Sequence, residues 1–201
     1  ILHLGLAGVF TCLFVRRLTH RLDAGLLAGV AFSLGGFLTS YPMLQLIILE
    51  TAIWLPAGLW LIERALARRS LWEMGIAGAA LGCGVLAGHF QTFLYMAYLT
   101  AVYFLFRAFQ LRVGWRFALA AALILAGVTV GLSAGQWMPS LEIAQISPRA
   151  QLSYMELSKG FAPSELWGLI RPNLDQWSPL YVGLIPLVLG VLSPILSGRH
   201  R

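Results

Sequence analysis

Long runs of apolar residues, separated by short polar connectors, organise this chain along its whole length. A helix that spans a membrane needs about 20 apolar residues, within a range of roughly 17 to 25. Seven runs approach that length: residues 1–15, 24–40, 44–62, 74–88, 91–106, 117–137 and 179–196. None of them shows the strand alternation of an outer-membrane barrel. The pattern predicts an all-α polytopic integral membrane protein, with a first span truncated because the chain is a fragment of a longer protein.

The connectors between these runs alternate in charge. Of the 14 basic residues, 11 follow the first, third, fifth and last runs: Arg16, Arg17, Arg21, Arg64, Arg68, Arg69, Arg107, Arg112, Arg116, Arg199 and Arg201. The other connectors are TSYPML, GHFQ and the long stretch 138–178. Because basic connectors stay cytoplasmic in polytopic membrane proteins, we expect this second group to face outward.

The uncharged run between Glu73 and Arg107 is too long for one span. It contains 33 residues, and one helix of that length would measure about 50 Å, whereas the hydrocarbon core is about 30 Å thick. The chain must therefore cross twice, and the GHFQ segment, residues 88–91, forms the tip of a tight hairpin. A histidine and a glutamine in lipid would be costly, so they mark a polar environment or a function.

Composition and charge support the membrane interpretation. The chain is 59% hydrophobic and 11% charged, whereas soluble domains carry about 25% charged residues. The net charge of +6 lies in short connectors, which is a topology signal and not a nucleic-acid surface. Cys12 and Cys83 show neither disulfide nor metal-ligand spacing. The expected partner is a lipid bilayer, and nucleic acid is excluded.

The stretch 138–178 differs from the rest because it holds seven charged residues and four prolines. Loops longer than about 15 residues are usually functional or disordered, and this one is too apolar to be disordered. Within APSELWGLI, Ser164 is placed near a helix N-cap and Glu165 in the first turn. We expect an extracytoplasmic loop of short interfacial helices, inserted between the last two spans, that covers a cavity.

Polar residues that could bind a ligand gather on the outward side: Tyr41, Glu50, His89, Gln91, Glu142, Ser147 and Arg149. Simpler interpretations stay open, since His89 could cap the hairpin tip and Glu50 could reach a polar partner within the protein. One histidine and one glutamate make no metal site. Glycines spaced by four residues, at 78 and 82, 84 and 88, and 127, 131 and 135, predict close helix packing.

Five segments, taken in order, carry a family resemblance: ILHLGLAGVFTCLFVRRL, ETAIWLPAGLWLIERAL, AGHFQTFLYMAYL, the stretch from QWMPSLEIAQ to LWGLIRPN, and PLYVGLIPLVLGVL. With these segments the chain resembles the bacterial YfhO-like membrane proteins, within the GT-C group of membrane glycosyltransferases. The ordered set GH-x-Q, P-x-x-E, S-x-R and YVGL-x-PL is more specific than any one motif. The similarity runs through nearly the whole chain.

The resemblance implies a GT-C-like bundle of about seven transmembrane helices in a bacterial inner membrane, formed as one bundle over residues 1–201. Enzymes of that group transfer a sugar from a polyprenyl-phosphate carrier to an extracytoplasmic glycan or protein. Their catalytic acid lies in the first outer loop. Here that loop would precede Ile1, so no residue of this sequence is assigned as catalytic.

The implied donor suggests roles for several outward residues. Arginine can bind phosphate through two parallel hydrogen bonds, so Arg149 is the first choice for the donor phosphate, ahead of Lys159 and Arg171. His89, Gln91 and Glu142 are expected to hydrogen-bond sugar hydroxyls or to orient the acceptor. A weaker expectation gives Glu50 a part in holding a divalent cation.

Two other functions remain open. A transporter or flippase for lipid-linked sugars predicts polar residues that continue through the bundle to the cytoplasmic side, whereas the spans hold chiefly Gln45 and Glu50 near the outer end. A structural subunit without a site predicts that Glu50 and His89 are bonded to each other or to the backbone, with no open cavity above them.

Overall fold

The computed structural model describes residues 1–40, 45–147, 162–171 and 180–197, and all regular secondary structure within these ranges is helical. The helices are α1 (Leu2–Thr19), α2 (Leu22–Ser33), α3 (Gly36–Thr39), α4 (Leu46–Ala52), α5 (Trp54–Arg68), α6 (Leu71–Leu86), α7 (Phe90–Gln110), α8 (Trp115–Leu132), α9 (Ala134–Ile146) and α10 (Leu184–Ser197), with a 3₁₀ helix at Pro163–Leu169. The predicted all-α class is confirmed. The GT-C-like arrangement and the number of spans stay predictions.

Several of these helices are long and apolar enough to cross a membrane. Within the described ranges five segments meet that condition: Leu2–Thr19, Leu22–Thr39, Leu46–Arg68, Phe90–Gln110 and Trp115–Leu132. Two shorter apolar helices, Leu71–Leu86 and Leu184–Ser193, lie at two further predicted positions. Large apolar side chains such as Leu105 and Phe109 are mostly exposed, which suits a surface that faces lipid and not water.

The described residues divide into two compact units. The first unit lies within Ile1–Leu49 and Ser164–Arg201, and the second within Glu50–Pro163. The prediction of a single bundle over 1–201 stays a prediction. In the first unit α1 packs along α2, and α2 also contacts α10.

Glycines allow α1 and α2 to approach closely. A Cβ on Gly29 would lie 2.6 Å from the carbonyl oxygen of Gly8, and one on Gly25 would lie 2.8 Å from that of Cys12. Real Cβ atoms do not come so near to backbone oxygens, so no larger residue fits at either position without separating the helices. The packing of this pair of glycines was not predicted from the sequence.

In the second unit α6 lies between α5 and α8, while α7 packs on α5. The hydrophobic core is built around Ile62, Leu66, Met74, Ala77 and Phe104. The turns that follow α5 and α7 lie side by side, since Arg69 donates a hydrogen bond from Nη2 to the carbonyl oxygen of Arg112 at 3.3 Å. We call this end of the second unit, marked by Arg68, Arg69, Arg107 and Arg112, the basic end.

The predicted glycine packing holds for α6 and fails for α8. A Cβ on Gly78 would lie 2.8 Å from the carbonyl oxygen of Leu125, and Thr129 donates a hydrogen bond from Oγ1 to the Gly78 carbonyl at 3.0 Å. Gly82 and Gly84 also meet neighbouring helices. By contrast, Gly127, Gly131 and Gly135 have no described atom within 4 Å of an added Cβ. The interpretation of that second repeat as a packing stripe is wrong within the described residues.

The boundary between the sixth predicted span and the long loop also differs. The prediction ended the span at residue 137, whereas α8 stops at Leu132 and α9 continues as a helix through Pro139 to Ile146. A proline inside a helix removes one backbone hydrogen bond. Two side chains near Pro139 donate to backbone carbonyls of the same segment. Trp137 donates from Nε1 to the Val130 carbonyl at 2.9 Å, and Ser140 donates from Oγ to the Gln136 carbonyl at 2.7 Å.

Candidate functional site

Five of the seven predicted site residues lie within the described ranges. Glu50 is in α4, His89 precedes α7, Gln91 is in its first turn, Glu142 is in α9 and Ser147 follows the end of α9. Tyr41 and Arg149 lie outside the described residues, as does Lys159. Their predicted roles stay predictions.

Three parts of the second unit meet at the end opposite the basic end. An added Cβ on Gly84, near the end of α6, would lie 3.3 Å from the Cβ of Trp54 and 3.6 Å from the carbonyl oxygen of Thr51. An added Cβ on Gly88 would lie 3.5 Å from Nε2 of Gln136. The α4–α5 junction, the turn before α7 and the start of α9 are therefore neighbours. We call this region, defined by Thr51, Gly84, Gly88, His89 and Gln136, the hairpin end.

The hairpin end collects some of the predicted site residues and not others. His89 and Gln91 belong to the turn itself, and Glu50 precedes Thr51 in the chain. Glu142 lies six residues beyond Gln136 along α9, or about 9 Å at 1.5 Å per residue, and Ser147 lies further still. The structure thus places Glu50, His89 and Gln91 around one end of the helices, with Glu142 and Ser147 along a helix that leaves it.

The predicted hairpin at residues 88–91 is confirmed. Helix α6 ends at Leu86 and α7 begins at Phe90. Gly88 has a φ of +95°, a left-handed conformation that glycine adopts without the steric cost of a Cβ. His89 is the N-cap of α7, and its ring accepts a hydrogen bond at Nδ1 from the backbone N–H of Thr92 at 3.2 Å. Histidine here performs the capping role that Ser, Asp or Asn usually fills.

This cap fixes which ring nitrogen of His89 carries the proton. A backbone N–H can only donate, so Nδ1 must be unprotonated, and the neutral ring carries its hydrogen on Nε2. The Thr92 hydroxyl lies 2.8 Å from the same Nδ1. The half-buried ring therefore holds an oriented Nε2–H donor at the hairpin end. Burial lowers the pKa of His89 below its ordinary value, which keeps the ring neutral.

Gln91 is also held by its own helix. Its Nε2 donates to the hydroxyl of Tyr95 at 3.1 Å, one helical turn away, and both side chains are exposed. The side-chain bonds of His89 and Gln91 thus run to residues of α7. Hydrogen bonds of this kind can be exchanged for bonds to a ligand at small cost.

The basic end contains a polar cluster that the sequence analysis missed. The carboxylate of Glu63 in α5 accepts a hydrogen bond from Nε of Arg107 at 2.7 Å and another from the Tyr103 hydroxyl at 2.9 Å, both from α7. Arg107 Nη2 also pairs with Glu63 Oε1. The side chains of Glu63 and Arg107 are only 5% and 15% exposed, so the pair is nearly removed from solvent.

A second carboxylate lies at the same end. Glu73 in α6 pairs with Arg68 at 2.7 Å and with Arg64 at 3.3 Å, and the Arg64 guanidinium lies 5.1 Å from the centre of the Trp60 ring. The backbone N–H of Glu73 is capped by the Ser70 hydroxyl at 3.2 Å. These bonds tie α5 to α6, as Glu63 ties α5 to α7, so the cluster stabilises helix packing.

One sequence signal could have revealed the Glu63 cluster. Tyr103 and Arg107 are spaced by four residues, which places them on the same face of a helix, and Glu63 is one of three carboxylates, with Asp23 and Glu73, that adjoin the basic connectors. Arg107 and its partner Glu63 are 44 residues apart in the chain. The local pattern therefore identifies the polar face of α7 but not the residue that packs against it.

Within the described residues, no group of three His, Cys, Asp or Glu side chains could hold a metal ion. No protein-family model, curated protein or solved structure matches this chain. Any function must therefore be argued from the residues of the hairpin end and from their chemistry.

Proposed function

We propose that this chain is part of a membrane glycosyltransferase that transfers a sugar from a polyprenyl-phosphate donor to a glycan or protein acceptor on the extracytoplasmic side. The observation that carries the proposal is the His89 ring, whose Nδ1 is bonded to the backbone so that its Nε2–H is oriented as a donor at the hairpin end. A fixed donor of this kind can bind a sugar hydroxyl or a phosphate oxygen without prior reorganisation.

Three further features support the proposal. The apolar helices suit a protein that receives a lipid-linked substrate from the bilayer. The alternation of basic connectors predicts that the hairpin end faces outward. The ordered motifs GH-x-Q, P-x-x-E, S-x-R and YVGL-x-PL resemble those of the YfhO-like proteins of the GT-C group, which is a likeness of sequence and would carry the activity only by analogy.

The proposed chemistry divides between binding and charge stabilisation. Arg149 is the proposed ligand of the donor phosphate, because a guanidinium offers two parallel hydrogen bonds to it. His89, Gln91 and Glu142 would bind sugar hydroxyls or orient the acceptor. When the bond between sugar and phosphate breaks, negative charge grows on the departing polyprenyl phosphate, and a cation held there would lower the barrier.

One observation favours a second candidate, a structural membrane subunit without a site. That function predicts a His89 satisfied by the backbone, and the ring does accept the Thr92 N–H. Only one of the two ring nitrogens is used in this way, so capping and ligand binding are compatible. A flippase for lipid-linked sugars differs from both candidates because it would move the labelled lipid across the bilayer without removing its sugar.

The test uses the full-length protein in membranes with radiolabelled polyprenyl-phosphate sugars, supplied one at a time. We expect label to leave the carrier lipid for an extracytoplasmic polymer or protein. Arg149→Ala should abolish transfer, while His89→Ala and Glu142→Ala should reduce it less. Arg116→Ala, which removes an exposed cation from the first turn of α8, is the matched control and should leave transfer unchanged.

Three results would contradict the proposal. Normal transfer by the Arg149→Ala protein would remove that residue from the phosphate site. Label that crosses the bilayer but stays on the lipid would establish the flippase. Neither transfer nor translocation across a broad panel of donors, by a protein that inserts and folds, would favour the structural subunit.

A further inference from the structure

A groove of about 320 Å³ runs along the packed pair of helices α1 and α2 in the first unit. Its walls are the side chains of Val9 and Leu13 from α1 and of Leu26 and Val30 from α2, and almost all of the atoms that line it are apolar. The side chains of Val9, Leu26 and Val30 are each more than half exposed.

The groove exists because of the glycines beneath it. Gly8 and Gly29 bring the two backbones together without side chains of their own, so the larger neighbours stand apart as two ridges. Gly5 continues the floor, and an added Cβ there would meet no described atom within 4 Å. The result is a narrow apolar groove, open along one side, that suits an extended hydrocarbon chain.

Two arginines, Arg16 and Arg17, lie at one end of this groove. The α1 residues that line it are spaced three and four apart, from Gly5 through Cys12 and Leu13, and the same spacing continues to Arg16 and Arg17. An added Cβ on Gly25 would lie 3.2 Å from the Cβ of Arg16, so the Arg16 stem lies against α2 where the groove ends.

These two arginines retain their charge for an external partner. Within the described residues neither forms an ion pair. The nearby carboxylate of Asp23 is already bonded to Arg21, whose Nε donates to Oδ1 at 3.1 Å. An apolar groove that ends at two cations is complementary to an amphiphile with an anionic head group.

The length of the groove agrees with one leaflet of a bilayer. From Gly5 to Leu13 the helix rises about 12 Å, and from Gly5 to Arg17 about 18 Å, whereas half of the hydrocarbon core is about 15 Å thick. We propose that the α1–α2 groove binds one acyl chain of an anionic phospholipid from the leaflet on the basic side, with its phosphate on Arg16 and Arg17. This site is independent of the proposed sugar transfer.

The test measures lipid retention by native mass spectrometry on the purified full chain. Phosphatidylglycerol and phosphatidylcholine with identical acyl chains are the probes. We expect one tightly retained phosphatidylglycerol per chain and weaker retention of phosphatidylcholine. Each guanidinium near an anionic lipid contributes about fivefold in affinity. Arg16→Gln/Arg17→Gln should therefore lower the affinity for phosphatidylglycerol about 25-fold.

A second variant tests the groove separately from the charge. Gly5→Leu places a side chain in the groove at a position where no described atom lies within 4 Å of an added Cβ. It should lower retention of both lipids, while the helical content stays unchanged. The matched controls are Arg112→Gln/Arg116→Gln, which removes the same charge from another connector, and Gly127→Leu, which adds the same volume at another open glycine. Both should leave retention unchanged.

Several outcomes would overturn the proposal. Equal loss in the two double-arginine variants would show a general charge effect. Unchanged retention in the Gly5→Leu protein would show that no chain occupies the groove. Competition by millimolar inorganic phosphate would show an anion site in place of a lipid site. A disulfide-linked dimer through Cys12, formed in membranes under oxidation, would show that a second copy of the chain occupies the groove.

Discussion

The two ends of the second unit hold their polar side chains by different means. At the basic end, Glu63 bonds to Tyr103 and Arg107, which are 40 and 44 residues away in the chain, so the bonds join separate helices. At the hairpin end, His89 bonds to Thr92 and Gln91 to Tyr95, within one turn of the same helix. Interhelical bonds fix the packing, whereas local bonds shape a surface and leave groups available to a ligand.

This difference teaches that a buried charge in an apolar chain is not by itself a site. Ionisable residues inside a membrane protein are functional hypotheses by default, and by that rule Glu63 and Arg107 would rank above His89. Their mutual pairing and low exposure give them a structural role. His89 and Gln91 at the hairpin end are the better ligand candidates because their bonds are local.

The largest expected effect comes from breaking the Glu63 cluster. Glu63→Ala would leave the Arg107 guanidinium buried without its partner, and the loss of one member of a buried pair costs about 3–5 kcal/mol in the free energy of unfolding. Denaturation of the purified protein in detergent measures this change.

A double variant is the control for that result. Glu63→Leu/Arg107→Met removes both charges together, and replacement of a buried pair by apolar residues is often neutral, so most of the stability should return. If Glu63→Ala costs no more than an exposed substitution, the cluster does not clamp the helices and the comparison of the two ends fails.

A smaller effect is expected midway between the two ends, at Gly78. Gly78→Ala would bring a methyl group to 2.8 Å from the Leu125 carbonyl oxygen, and such overpacking costs about 1–3 kcal/mol. Gly127→Ala is the control, because no described atom lies within 4 Å of an added Cβ there and alanine favours the helix. Equal unfolding free energies for the two variants would mean that α6 and α8 do not pack through glycine.

The smallest effect is a pH-dependent one at the hairpin end. His89 lies outside the membrane-spanning segments, and burial lowers its folded pKa below the ordinary value of 6.5. The unfolded chain then binds a proton more readily, so the cap's contribution is complete above about pH 6.5 and is lost as the pH falls through the folded pKa. A helix N-cap contributes about 1 kcal/mol.

Hydrogen exchange of the Thr92 amide measures this loss locally, without interference from the other histidines. After correction for intrinsic exchange, protection should fall about fivefold as the pH falls from 7.5 through the folded pKa. His89→Asn keeps a capping oxygen that does not titrate, so its protection should not change with pH. An identical pH response in the two proteins would refute the cap.

Periodicity and charge predicted the helices and the Gly88–Gln91 turn because both depend on local sequence. The run between Glu73 and Arg107 is too long for a single crossing of the bilayer, so two crossings were predicted. The turn between them lies at the predicted position. The continuation of α9 beyond residue 137 was missed because Pro139 is typical of loops, yet the helix runs through that proline to Ile146.

Contacts between helices could not be predicted from local sequence patterns. The glycine repeats at 78 and 82 and at 127 and 131 are alike as patterns, but among the described residues the first pair meets a neighbouring helix and the second does not. The spacing of the glycines shows that one helix face carries only small residues. It does not show whether another helix packs on that face. For the same reason the sequence indicated His89 and Gln91, which are held locally, and missed Glu63, whose partner lies on another helix.

The most direct test of the division between the two ends is a rate of sugar transfer, measured in the full-length protein at matched membrane levels. His89→Asn keeps the cap and removes the Nε2–H donor, so transfer should fall about tenfold, the effect of about 1.4 kcal/mol on a barrier. Glu63→Leu/Arg107→Met should transfer at nearly the normal rate. The opposite result, with transfer lost in the double variant and kept in His89→Asn, would contradict the account.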